Sequence, residues 1–287
     1  MQSLLYGLIA ALTWGLHDFC VRHLSQRLAS APMLLGSLVM GSLLLLGLII
    51  ATGDWVQMTL HAGIYALASG ACYGAACFGL YKAFAIGPVR LVAPICGAYP
   101  VLSFALAAFM GQAIRFDQWL ATFAVVVGIA LVARQPGQAA VAKDRTAAMA
   151  WAALGAVGFA LTFALGQTAV QAIGPQAGPA ELPITLMSRL SAAVIVGGWV
   201  IYSRASLAPL RPHLPLLGLM GLLDVTALGL VLAAGGLANP EFASVASSLF
   251  GLVTILLAWR FLREQMVALQ WGGVGLVFAG IAWLAAG

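Results

Sequence analysis

Charge is what this sequence has least of. Only 7 % of its 287 residues are Asp, Glu, Lys or Arg, eight acidic and 13 basic, against about 25 % in soluble globular domains. A water-soluble fold of this length would leave more apolar surface exposed than solution tolerates. Cysteine and histidine are equally sparse, four of each. Cys20, Cys72, Cys77 and Cys96 all lie in apolar stretches without C-x-x-C spacing, so they read as small packing residues, not as a disulfide or metal framework. H-E-x-x-H, G-x-S-x-G, paired aspartates and a phosphate loop are missing, which removes the usual grounds for expecting an enzyme or a bound cofactor. Period-two alternation is missing as well, which argues against a transmembrane barrel.

What fills the chain instead is apolar: 63 % hydrophobic residues and a mean hydropathy of +1.04. Windows of about 20 apolar residues recur along the whole length, the signature of an all-α polytopic membrane protein that sits in a lipid bilayer. Hydropathy and charge punctuation place ten spans, at about 3–22, 31–51, 62–84, 88–111, 118–134, 147–172, 183–203, 214–238, 242–262 and 268–286. The first is read as a retained helix. "LASA" at 28–31 loosely matches a cleavage site, but no basic segment precedes it, and His17, Asp18 and Arg22 come first. The net charge of +5 and pI near 9.3 do not point to nucleic acid, because the basic residues are scattered at the ends of the spans and fit membrane orientation better.

The chain also repeats. The longest polar stretch, "RQPGQAAVAKDRT" at 134–146, separates a first unit, 1–134, from a second, 147–287. A shift of 152 residues lays "DQWLATFAVVVGIALVA" on "LQWGGVGLVFAGIAWLA", pairing Gln118 and Trp119 with Gln270 and Trp271, and Gly128 with Gly280. The same shift puts Gly87-Pro88 on Asn239-Pro240 and Gln112 on Glu264; a shift of 145 pairs Trp14 with Phe159. A duplicated unit is the reading. Five spans per unit, an odd number, require the second copy to enter the membrane inverted. Charge agrees: eleven of the 13 basic residues border the loops after spans 1, 3, 5, 7 and 9, with only Arg115 after an even span and Arg189 inside span 7. By the positive-inside rule the odd loops face the cytoplasm and both termini face out.

Polar groups inside the spans are the candidates for chemistry, because an ionisable group at the bilayer centre costs about 2.5–3.5 kcal/mol and normally faces protein or water. Trp14, His17 and Asp18 stand at i, i+3 and i+4 on one face of span 1. They either line a substrate path, or Asp18 pairs with Arg22 one turn on while Trp14 packs. Asp224 lies about ten residues into span 8 with Thr226 nearby and no basic residue at i±3 or i±4. It is either a hydrogen-bonded core carboxylic acid or a site for a substrate ammonium group or a proton. Its counterpart in the first unit is Cys72. Tyr73, Cys77 and Tyr81 form a row in span 3, beside a Lys82 that snorkels to the surface. Phe159 and Phe163, the repeat partners of Trp14 and Asp18, form an opposite wall, with Gln167 one turn on. Ser247, Ser248 and Thr254 of span 9 either bond back to their own helix or face the cavity. Arg189 is expected to reach the outer interface. Gly70 and Gly74, and Gly272, Gly273, Gly275 and Gly280 of span 10, imply close helix contact, used within the chain more readily than between chains, so a monomer is expected in preference to a homodimer.

These features together resemble the EamA-type drug/metabolite transporters. The resemblance rests on "TWG" in span 1, Gly-Pro before span 4, "FLREQ" closing span 9, and two inverted five-span copies. Within that family the aromatic spans 1 and 4 are similar to the YddG-type aromatic amino acid exporters. The resemblance implies a multi-pass protein of the cell (inner) membrane with a central cavity lined by spans 1, 3, 4, 6, 8 and 9, spans 5 and 10 at the periphery, and alternating access by rocking of the two bundles. It makes Tyr99 a cavity position and puts any acidic role on Glu264, since the first copy carries Gln112. The function implied is export of small amphipathic metabolites, foremost amino acids with aromatic or other apolar side chains; the alternative is organic cations, nucleobases or sugar derivatives on the same fold.

One stretch stands out, "AIGPVRLVAPICGAYP" at 85–100. Gly87-Pro88 reads as a tight turn, repeated at Asn239-Pro240. Pro94 and Pro100 have no counterparts, Ala246 and Leu252 taking their places. A proline inside a helix removes a hydrogen bond and bends it. Span 4 is therefore expected to bend around the cavity and act as a gate, giving its half a flexibility that the other half lacks.

Overall fold

In the absence of water the backbone of an apolar segment must satisfy its own hydrogen bonds, and a single chain segment does so as a helix. The computed structural model describes residues 2–102, 115–133, 142–174, 180–237 and 241–286, and among them it contains no strand. The helices are α1 (Gln2–Leu24), α2 (Ser30–Thr52), α3 (Leu60–Ile86), α4 (Val89–Gly97), α5 (Phe116–Ala133), α6 (Ala142–Gln171), α7 (Glu181–Tyr202), α8 (Leu214–Ala233), α9 (Glu241–Ser247), α10 (Phe250–Phe261) and α11 (Ala268–Ala286). Seven described stretches are long and apolar enough to cross a membrane: Gln2–Leu24, Ser30–Thr52, Leu60–Ile86, Asp144–Gln171, Glu181–Tyr202, Ala208–Gly236 and Phe242–Phe261. The other three expected spans carry shorter apolar helices, Val89–Leu102, Phe116–Val132 and Ala268–Trp283. The outward faces are apolar, as in Ile50, Val194 and Ile201, and Trp55, Trp119, Tyr202 and Trp283 stand exposed near helix ends, where an aromatic belt belongs. This is a multi-pass membrane protein.

Local signals set the boundaries. Thr59 caps α3, its side chain accepting from the Ala62 N–H at 3.1 Å. Gly53 ends α2 in the left-handed region, φ 76°. Gly87 is extended, and a Cβ there would stand 2.7 Å from Ala148 Cβ of α6, so the turn into Pro88 and α4 is pressed against the second unit.

Packing runs mainly between the two units. α3 lies against α6 and α7, α1 against α8, α9 and α10, α2 against α7 and α8, and α5 against α11. Glycine brings these backbones together. A Cβ on Gly128 would stand 2.7 Å from the Gly273 carbonyl, and one on Gly273 would stand 2.8 Å from the Gly128 carbonyl. Gly70 and Gly74 meet Ser188 and Ala192 of α7 in the same way.

Spans 4 and 9 are both broken. α4 stops at Gly97, Ala98 is a turn, and the chain is helical again over 99–102. Pro94 lies inside α4 and Pro100 just past the break. α9 stops at Ser247, residues 248 and 249 are a turn, and α10 resumes. The expectation of flexibility confined to the proline-bearing half is therefore corrected: the second unit breaks at the corresponding place without proline. Its serines do the work, Ser247 Oγ donating to the Ser244 carbonyl at 2.8 Å and Ser248 Oγ to the Val245 carbonyl at 2.7 Å, which draws the helix into tighter i−3 bonding. The two breaks touch. A Cβ on Gly97 would lie 3.0 Å from the Ser248 carbonyl, and one on Gly251 2.9 Å from the Ala93 carbonyl. Pro240, expected as a hinge, and residues 103–111 of span 4 lie outside the described residues.

Candidate functional site

Where α1, α3, α6, α8 and α10 converge, aromatic rings meet. Trp14 of α1 has its ring centre 6.5 Å from Phe159, 5.5 Å from Phe163 and 6.4 Å from Phe250. Phe159 and Phe163, one turn apart on α6, stack at 9° and 6.0 Å. Tyr99 backs this wall with its ring 5.0 Å from Phe163, and Tyr73 closes another side 6.2 Å from Phe159. The cage so formed is completed by His17, Asp18, Cys77, Leu80 and Asp224. Its free volume is about 10 Å³, room for about one water molecule, so the rings are closed on one another.

Below the rings lies a buried polar layer. The Asp224 carboxylate accepts from Trp14 Nε1 at 2.9 Å and, more closely, from the Tyr73 hydroxyl through the same Oδ1. Its Oδ2 accepts from Nη1 of Arg189. Arg189 Nη2 donates to the Ser37 and Leu38 carbonyls at 3.1 and 3.3 Å, and the residue is fully buried. Two expectations are corrected here. Arg189 does not reach an outer interface, and Asp224 is no unpartnered acid: the guanidinium that neutralises it comes from a neighbouring helix, not from i±3 or i±4.

A second pair stands beside the first. His17 Nδ1 and Asp18 Oδ1 are 2.9 Å apart, and the Tyr81 hydroxyl lies 3.1 Å from His17 Nε2. One tautomer satisfies both contacts, with Nδ1–H donating to Asp18 and the Tyr81 O–H donating to Nε2. Asp18, 2 % exposed, keeps its other oxygen, Oδ2, without a hydrogen-bond partner among the described residues. The local pairing of Asp18 with Arg22 does not form.

Arg22 points away, into a cluster at one end of the bundle. Its Nε donates to Glu264 Oε1 at 3.1 Å and its Nη1 to the Phe84 carbonyl at 2.5 Å. Glu264 Oε2 accepts from the Val89 N–H at 3.0 Å, and Arg90 Nη1 donates to the Gln265 carbonyl at 2.9 Å. The ends of α1, α3 and α4 are thus tied to the turn between α10 and α11, one unit to the other.

The remaining expected residues sit around this centre. Gln167 donates to the Val231 carbonyl at 3.0 Å and to Ser244 Oγ at 3.1 Å, leaving it outside the cage lining. The Tyr99 hydroxyl bonds to the Ser244 carbonyl and to Ser247 Oγ at 2.6 Å. Ser248 turns back onto its own helix. Phe250 and Leu80 line the cage and were not singled out in the sequence; Phe250 follows the proline-free break, which no residue pattern marks. Among the described residues no three His, Cys, Asp or Glu side chains converge to hold a metal.

Comparison with known proteins places the chain. The EamA-like transporter family model matches residues 1–134 and again 146–286, so the chain belongs to the EamA-like transporter family. No curated protein matches it. A solved structure, described as the crystal structure of a protein, is 14 % identical, covers 98 % of this chain and 97 % of its own, and superposes with a TM-score of 0.71; at that identity it speaks for the fold.

Proposed function

We propose that this member of the EamA-like transporter family exports small amphipathic metabolites, amino acids with aromatic or other apolar side chains, across the cell's inner membrane by alternating access. The observation that carries the reading is the closed aromatic cage between the two units, ringed by Trp14, Phe159, Phe163 and Phe250 and bordered by buried carboxylates. Rings offer an apolar side chain area and stacking, and a carboxylate offers an ammonium group a partner. The space of about 10 Å³ holds no amino acid, so binding requires the units to part, and the Arg22–Glu264 cluster closes one end of that parting line.

In this reading ten spans form two inverted copies, 1–134 and 147–287, working as a monomer with both termini outside and no cofactor. Tyr99 and Gln167 support the cage from behind. Pro94, Pro100 and the Gly87-Pro88 and Pro240 turns let spans 4 and 9 bend. The test is uptake by proteoliposomes of a panel of amino acids, organic cations and nucleosides, with and without a pH gradient. Movement of aromatic amino acids is the expected result; if no amino acid moves under either condition, the proposal fails.

A further inference from the structure

We propose that Asp18, through its unpartnered Oδ2, is where the carried molecule's ammonium group binds, and that a proton occupies this oxygen while the cage is empty. The proposal rests on the transport reading above and assigns it a residue and a counter-ion.

Charge accounting within the buried centre leads there. Its described charges are Asp224, Arg189 and Asp18, with His17 as the only other group that titrates near neutrality. Asp224 and Arg189 cancel in direct contact. That leaves Asp18, buried, with one hydrogen bond from a neutral His17 and one oxygen facing nothing. An uncompensated carboxylate in such a place is costly, and binding a cation or a proton relieves the cost. The neutral tautomer of His17 fits both of its contacts, so the proton belongs on Oδ2.

The surroundings supply no other cation. From α3, Tyr73 is spent on Asp224, Tyr81 on His17, and Cys77 lines the cage as a thiol. Cys96 of α4 donates to the Ala152 carbonyl, Thr254 of α10 to the Gly15 and Phe250 carbonyls, and Cys20 lies on α1 itself. Arg22, one turn along α1, is held by Glu264 and the Phe84 carbonyl. What does face the carboxylate is the aromatic cage of Trp14, Phe159, Phe163 and Phe250, whose ring faces attract cations.

The exchange balances. The Asp18 carboxylic acid loses the Oδ2 proton to water, and the resulting carboxylate pairs with an incoming R–NH₃⁺; on release the carboxylate takes a proton back. Alternating access then couples one proton inward to one substrate outward. Asp224 has no part in the exchange, because Arg189 holds it in either state.

Two measurements test this. Infrared spectra of the protein in lipid vesicles should show the C=O band of a buried protonated carboxyl, lost in Asp18→Asn and kept in Asp224→Asn; a band indifferent to Asp18→Asn overturns the proposal. Should Asp18→Asn fail to assemble, His17→Gln, which removes the donor to Oδ1, must shift the band, and an unmoved band overturns it equally. In proteoliposomes with the membrane potential clamped, an inside-acid gradient should concentrate L-phenylalanine or trimethylphenylammonium about tenfold per pH unit, the yield of one-for-one exchange. Asp18→Asn should abolish the concentration. L-phenylalanine that equilibrates but never concentrates in the unmodified protein overturns the proton exchange and leaves the transport reading standing. A band that behaves as stated, with no amino acid moving, supports the proton site and defeats the amino acid reading.

Discussion

Replacing Arg189 by methionine would remove a guanidinium that is fully buried and bonded to Asp224, Ser37 and Leu38. Methionine roughly keeps the length and packing of the side chain. What changes is charge: the Asp224 carboxylate keeps its Trp14 and Tyr73 donors but loses its counter-ion in a site that is 3 % exposed. Removing one partner of a buried ion pair costs about 3–5 kcal/mol. At about 2–4 °C per kcal/mol, the thermal midpoint of the detergent-solubilised protein should fall by roughly 6–20 °C. Adding Asp224→Asn to the same chain should restore most of the loss, since a neutral amide oxygen still accepts from Trp14 and Tyr73 and no lone charge remains. The pair is coupled only if the two changes fail to add. The assay is a thermal series on the unmodified protein, both single variants and the double, read by the monomer peak in size-exclusion chromatography. If Arg189→Met leaves the midpoint unmoved, or the double variant falls by the sum of the singles, the ion pair is not the organising contact described above.

Three further outcomes follow from other contacts. Glu264→Gln should loosen the cluster that joins the two units at one end, and in a background with Cys20 and Cys72 changed to serine, maleimide should label the buried Cys77 severalfold faster; an unchanged rate removes the cluster as a closure. Gly273→Ala puts a methyl group 2.8 Å from the Gly128 carbonyl and should destabilise the protein by about 1–3 kcal/mol, seen as a lower thermal midpoint. Pro94→Ala with Pro100→Ala should slow transport while leaving the thermal midpoint close to that of the unmodified protein; unchanged uptake rates would reduce the prolines to shape alone.

Much of this was readable along the chain because lipid imposes local rules. A span must be apolar over its own length, so hydropathy located the helices, and a duplicated unit repeats its glycines, so Gly128 and Gly280 surfaced as partners before their close packing was seen. The face of Trp14, His17 and Asp18 was readable for the same reason, since helix periodicity is local. What escaped was pairing between helices. Asp224 had no cation within a turn, and Arg189 is 35 residues away on another helix; Arg22 passes over Asp18, four residues back, to reach Glu264, 242 residues on. The break before Phe250 escaped for a different reason. Proline announces a kink, whereas serines that bend a helix by bonding back to it are indistinguishable in sequence from serines that face a cavity.

The contact between the two broken helices sets a limit on how the units can move. Gly97 meets the Ser248 carbonyl and Gly251 the Ala93 carbonyl, main chain against main chain, with no side chains interlocked across the crossing. Such a joint resists translation, because the backbones are already at van der Waals range, but opposes turning only weakly. If one unit tilts against the other, this crossing is the fulcrum. Displacement then grows with distance from it: the Arg22–Glu264 end swings through the longest arc, while the cage beside the fulcrum shifts least. A small angular change can therefore sever the far cluster while the rings have scarcely separated, which orders the events, end first and centre after.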